Sequence, residues 1–158
     1  MKARTLAGIA AAATVLSFGL AASAADNCEG TPTDTKLTVE VSGVTPPIGE
    51  VATTLYPDDP SRFLARGPGA KLALQRVKAG TTATSCFWLP GPGFYAVAIY
   101  HDANSDHKFN RTVIGLPAEG FGFSNDAPAK VGLPAFADTR FRANVGETTI
   151  HIRMRYLR

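Results

Sequence analysis

The chain has 158 residues, 45% hydrophobic and 18% charged, enough for one well-cored domain and too apolar for a disordered chain. Its 15 glycines and 11 prolines together fall short of the roughly 25–30% that marks low-complexity sequence. Two cysteines are too few for a disulfide-dense scaffold or a cysteine-based zinc site, and a formal charge of +3 with no Lys/Arg run interleaved with aromatics argues against nucleic acid as a partner.

Residues 1–24 read as a signal peptide. Lys2 and Arg4 form a short basic start, Leu6 to Leu20 is an alanine-rich apolar run, and Ala22-Ser23-Ala24 offers small residues for cleavage after Ala24. The run is shorter than the roughly 20 residues of a bilayer span. No cysteine stands directly after the cleavage point, so no lipid anchor is expected. Residues 25–158 are then a single domain, periplasmic or secreted, with no membrane span after cleavage. Lys2 and Arg4 leave with the leader, and the net charge falls to +1. In an oxidising compartment Cys28 and Cys86 are expected to form one disulfide, because neither C-x-x-C spacing nor a flanking histidine supports redox chemistry or metal binding. Closing so long a loop is worth about 4 kcal/mol in the chain-entropy account.

From Leu37 onward the sequence reads as strands and turns. Leu37, Val39 and Val41 alternate with Thr38, Glu40 and Ser42, and Val51, Thr53 and Leu55 continue the period of two after a Pro/Gly break. Ser61 to Arg76 is ambiguous between short helix, strand and loop. Thr81 to Leu89 is β-branched and aromatic, with Trp88 expected in the core beside Cys86. Pro90-Gly91-Pro92-Gly93 reverses the chain. Phe94 to Tyr100 is apolar on both faces, as in a central strand, and a polar loop runs from His101 to Lys108. Two further strands are predicted at 139–143 and 148–156. Ile150, Ile152, Met154 and Tyr156 face one way in the second, and His151, Arg153 and Arg155 the other. About seven strands and no long amphipathic helix predict an all-β fold, a single antiparallel sandwich.

Leu89-Pro90-Gly91-Pro92-Gly93-Phe94-Tyr95 resembles the turn that feeds a strand in transthyretin-like (prealbumin-like) sandwiches of Greek-key topology. His101-Asp102-x-Asn104-x-Asp106, Gly115-x-Pro117-x-Glu119-Gly120-x-Gly122-Phe123-Ser124-Asn125 and Pro134-x-Phe136-x-Asp138 resemble a bacterial family of small exported proteins, domain of unknown function family 2141. The likeness covers roughly residues 35–157. It implies a sandwich and an export signal, and no established activity.

The residues that point most directly to chemistry lie in the polar loop. Asp102, Asn104, Asp106, Lys108 (through its carbonyl) and Asn110 stand at positions 1, 3, 5, 7 and 9 of an EF-hand-type calcium loop, a spacing that aims several oxygens at one centre. His107 stands where that loop needs glycine, and Val113 where it needs a bidentate glutamate, a place that Glu119 is able to fill from the next segment. The alternative is a metal-free turn in which Asp and Asn cap their own backbone. No other cofactor is expected. A periplasmic hydrolase using His101 with a nearby carboxylate, and Ser124 as nucleophile, is the competing class, although Ser124 lacks a G-x-S-x-G elbow. A histidine metal site built from His101, His107 and His151 and a purely structural envelope component are further readings. Phe121 and Phe123 are either core or a platform for a ligand. The reading favoured by these residues is a non-catalytic binding module for an unknown protein or small ligand.

Overall fold

The computed structural model describes residues 27–129 and 132–157; the expected signal peptide lies outside them. Among the described residues, eight strands form two sheets. The smaller holds β1 (Thr35–Ser42), β4 (Thr82–Trp88) and β8 (Gly146–Arg153) in the order β4-β1-β8. The larger holds β2 (Glu50–Pro57), β3 (Ala73–Lys78), β5 (Gly93–Asp102), β6 (Phe121–Phe123) and β7 (Phe141–Ala143). Its order is β3-β2-β5-β6, and β7 pairs with the start of β5, Tyr95 opposite Phe141. All pairs are antiparallel except β1 with β8, where Val39 lies beside Ile150 in a parallel register. The sandwich expected from the sequence is present, with this one parallel ladder making the smaller sheet mixed.

The period-two patterns explain the core. Leu37, Val39 and Val41 from β1, Ala83 and Phe87 from β4, and Ile152 from β8 pack against Val51 and Leu55 from β2 and Tyr95, Val97 and Ile99 from β5. The parity of β4 puts Phe87 rather than Trp88 into this core. Trp88 is half-buried on the outer face under the Lys36 ammonium, contrary to its expected place. One polar pair crosses between the sheets inside the core, Thr53 Oγ1 to Ser85 Oγ at 2.8 Å. Cys28 and Cys86 are joined as expected, tying the chain before β1 to β4.

The apolar character of β5 on both faces has its counterpart in a second cluster on the outer side of the larger sheet. Tyr56, Ala96, Ala98, Phe121, Phe123 and Ala127 are buried there, with Phe63, Leu64, Phe109 and Phe136 packed over them. The ambiguous stretch resolves accordingly. A turn opened by Asp59, whose carboxylate accepts the Ser61 N–H and hydroxyl, lays Phe63 and Leu64 on this cluster before β3 begins at Ala73. The strand predicted at 139–143 begins instead as one helical turn, α1 (Phe136–Thr139), which seats Phe136 on the cluster. Among the described residues no helix is long and apolar enough to cross a membrane.

Candidate functional site

The polar loop leaves β5 at one end of the larger sheet. Residue parity there puts Glu50, Arg76, Tyr100 and Asp102 on the outer face, since Glu50 pairs with Asp102 and Ala52 with both Arg76 and Tyr100. Asp102 is 0% exposed, and a buried carboxylate needs a cation and donors. It has them: Oδ2 accepts from Arg76 Nη1 (3.1 Å) and the His107 N–H (2.8 Å), and Oδ1 from the Asp106 N–H (3.1 Å). Arg76 also donates through Nη2 to the Tyr100 hydroxyl (2.6 Å) and to the His107 carbonyl (3.4 Å). Burial pushes the Tyr100 phenol above its ordinary value, against the lowering pull of the Arg76 bond.

The rest of the loop is knit around Asp106. Its Oδ1 accepts the Lys108 N–H (2.8 Å), and its Oδ2 accepts the side-chain amides of Asn104 (3.1 Å) and Asn110 (3.0 Å). Asn104 Oδ1 accepts the Asp106 N–H (3.3 Å). These bonds hold the Asp106 carboxyl below its ordinary value, the Asn110 amide first and the Lys108 N–H next. Glu119 arrives from the following segment, where its Oε2 accepts the Asn110 N–H (2.9 Å) and its Oε1 the Asn110 amide (3.4 Å). Asn104, Asp106, Asn110 and Glu119 are therefore brought together through their side chains, whereas Lys108 joins them by its N–H and Asp102 faces Arg76 and the loop backbone. His107 sits at the sharp turn with φ 63, the left-handed conformation that glycine would adopt without cost and a larger residue holds at about 1–2 kcal/mol. Val113 stays fully in solvent, remote from a ligand role.

A second set of donors, Glu50, Asp102 and His107, brings one ligand atom each within 4.8 Å of the others. Arg76 already serves its carboxylates, at 3.1 Å from Asp102 and 3.8 Å from Glu50, and His107 Nε2 lies 3.3 Å from Glu50 Oε2. The guanidinium is the cation of that set. Sequence reasoning missed Glu50 and Arg76 because they come from other strands, and Tyr100 because it reads as part of the apolar run of β5. No local pattern marks Arg76, which shares its side of β3 with Leu74 and Lys78.

The residues of the hydrolase and histidine readings are placed differently. His101 is 1% exposed at the end of the core. Its Nε2–H donates to the Ile48 carbonyl (2.8 Å), and the Tyr156 hydroxyl, which accepts the Thr45 N–H, donates to Nδ1 (2.9 Å). Ser124 is buried in the sheet, its hydroxyl taking the Val97 N–H (2.9 Å) and donating to the Thr139 carbonyl. His151 pairs with Glu40 on the outer face of the smaller sheet. The three histidines do not converge among the described residues.

The Gly120–Asp126 run is a stitch between sheets. A Cβ on Gly120 would stand 2.4 Å from the Tyr156 ring, and one on Gly122 2.9 Å from both the Arg153 carbonyl and Ile152. Asn125 donates to the Asp138 and Arg140 carbonyls, and Asp126 accepts the Arg153 N–H. Phe121 and Phe123 belong to the second cluster, which leaves neither as a platform for a ligand.

The chain belongs to the bacterial family described as "Uncharacterized protein conserved in bacteria (DUF2141)", which matches residues 39–151. No curated protein and no solved structure matches it.

Proposed function

We propose that this family member is an exported, non-catalytic binding module whose loop 102–119 takes a calcium ion. The observation that carries the reading is the convergence on Asp106. Asn104, Asn110 and Glu119 all reach one small volume, where amide N–H groups now separate two carboxylates. Turning the two amides over exchanges nitrogen for oxygen at nearly unchanged positions. Asn104, Asp106, Asn110 and Glu119, with the Lys108 carbonyl, then offer about six oxygens, the lower end of what calcium requires. Asp102 shapes the loop in this reading, because the Arg76 guanidinium beside it would repel a second cation. The Cys28–Cys86 bridge supports an oxidising compartment, periplasmic or extracellular. A binding role is favoured over hydrolysis because His101 and Ser124, the residues that a hydrolase would use, have their polar atoms engaged by backbone and Tyr156.

Exposed extracellular calcium modules bind at about 0.1–1 mM. For a dissociation constant near the weak end, about 10 mM calcium adds roughly 1.4 kcal/mol of stability. The expected result is a melting temperature several degrees higher in calcium than in chelator, with the increment absent in Asp106→Ala and in Glu119→Gln. Identical melting in calcium and chelator overturns the calcium reading.

A further inference from the structure

We infer that the chain dimerises through β8, whose free edge pairs antiparallel with β8 of a second copy about a twofold axis at Thr149. This goes beyond the calcium reading and does not rest on it. β8 is the last strand of the smaller sheet, and β1 is its neighbour there. The parallel ladder directs alternate N–H groups to β1: Gly146 donates to the Asp34 carbonyl and Met154 to the Ser42 carbonyl, both at 2.8 Å. By the same alternation the N–H and C=O groups of Glu147, Thr149, His151 and Arg153 point away from β1. Arg153 bears out that direction and closes its end of the edge, since Asp126 Oδ1 accepts its N–H (2.8 Å). Glu147, Thr149 and His151 are exposed, and among the described residues no strand pairs with their free side.

The opposite edge of the same sheet is covered. On β4 the Glu29 N–H donates to the Cys86 carbonyl (2.8 Å), the Trp88 N–H to the Glu29 carbonyl (2.9 Å), and the Cys86 N–H to Gln75 Oε1 (2.7 Å). An edge without such cover is a template for another strand. A second copy is selected because the β8 edge complements itself. With the axis on Thr149, the three outward residues meet the same three. Thr149 faces Thr149 and Glu147 faces His151 on both sides of the axis, and each opposed pair exchanges both of its N–H···O bonds. The side chains on the outer face agree with this register. His151 Nδ1 lies 3.1 Å from Glu40 on β1, and Lys36 of β1 stands beside Glu147. Across the joined sheets one row therefore reads Glu40, His151, then Glu147 and Lys36 of the second copy, with the imidazole between two carboxylates. Centring the axis on Glu147 or on His151 opposes like groups instead, which is unfavourable in directly facing pairs. The contact is isologous and closes at two copies.

The test is sedimentation velocity of the exported chain in chelator, over about 10 μM to 1 mM, the range suited to a weak dimer with a small interface. The expected result is a reversible monomer–dimer equilibrium with nothing larger. Thr149→Pro removes the N–H at the axis and is tolerated by the monomer, because that N–H faces away from β1. It is expected to raise the dissociation constant by more than about tenfold, with the melting temperature of the dilute protein unchanged. Glu147→Lys is expected to weaken the dimer, and adding His151→Glu to it to restore dimerisation by exchanging the facing charges. That exchange decides the matter if Thr149→Pro lowers the melting temperature. A chain that stays monomeric throughout, oligomers beyond the dimer, a folded Thr149→Pro variant that dimerises as well as the wild type, or no recovery on charge exchange overturns the proposal.

Discussion

The segments 102–119 and 120–126 are adjacent in the chain and both carry Ser, Asp and Asn, yet their polar side chains do opposite things. In the second, Ser124, Asn125 and Asp126 each reach backbone far away, at Val97, Thr139, Asp138, Arg140 and Arg153. In the first, Asn104, Asp106, Asn110 and Glu119 reach one another and the loop's own backbone. The same residue types therefore integrate a fold in one place and assemble a local cluster of oxygens in the other. Damage to the stitch is expected to weaken the sandwich whether or not calcium is present, and damage to the loop beyond Asp102 to leave it standing.

The largest effect is expected where the loop joins the sheet. Arg76→Met leaves the fully buried Asp102 without its cation and is expected to destabilise by about 3–5 kcal/mol in denaturant unfolding. Adding Asp102→Asn to that variant should recover part of the loss; no recovery would mean that Arg76 acts through packing alone. Next comes the stitch. Gly122→Ala drives a methyl group into the Arg153 carbonyl and Ile152 and is expected to cost about 1–3 kcal/mol, equally in calcium and in chelator. A calcium-dependent cost there would erase the distinction between the two segments.

The smallest effect is a titration. Asp106 has its carboxyl held below the ordinary 3.8, first by the Asn110 amide and then by the Lys108 N–H. A depressed folded-state value means that its contribution is fully present above the unfolded-state value and is lost as pH falls through the folded one. Hydrogen exchange at the Lys108 amide, compared at fixed intrinsic rate, is expected to be steady from pH 7 to about 4 and to quicken below that. Asp106→Asn should remove this acid step, and an unchanged step in that variant would assign it to another carboxylate.

Much of the fold was legible because it rests on local periodicity. The alternation at 37–41 and at 51–55 fixed which side faces the core, and the unbroken apolar run of β5 announced cover on both faces. The parallel register of β1 with β8 was not legible, since it is set by a meeting of distant segments that no local pattern encodes. Trp88 was misplaced because size suggested burial, whereas parity along β4 gave the core position to Phe87. That Asn104, Asp106 and Asn110 share one loop cluster was readable from spacing. Arg76 was not, because its role depends on β2 lying between β3 and β5. The stitch was visible as a motif, but its purpose appears only once Gly122 is seen packed on Ile152 and the Arg153 carbonyl.

The most direct test of a calcium loop mounted on an independent sandwich is a calcium titration followed amide by amide by NMR. Saturable shifts confined to residues 103–119, with the amides of 120–126 unmoved, are the result expected. Spectra that stay the same up to about 10 mM calcium, a concentration well above extracellular-module affinities, would contradict it.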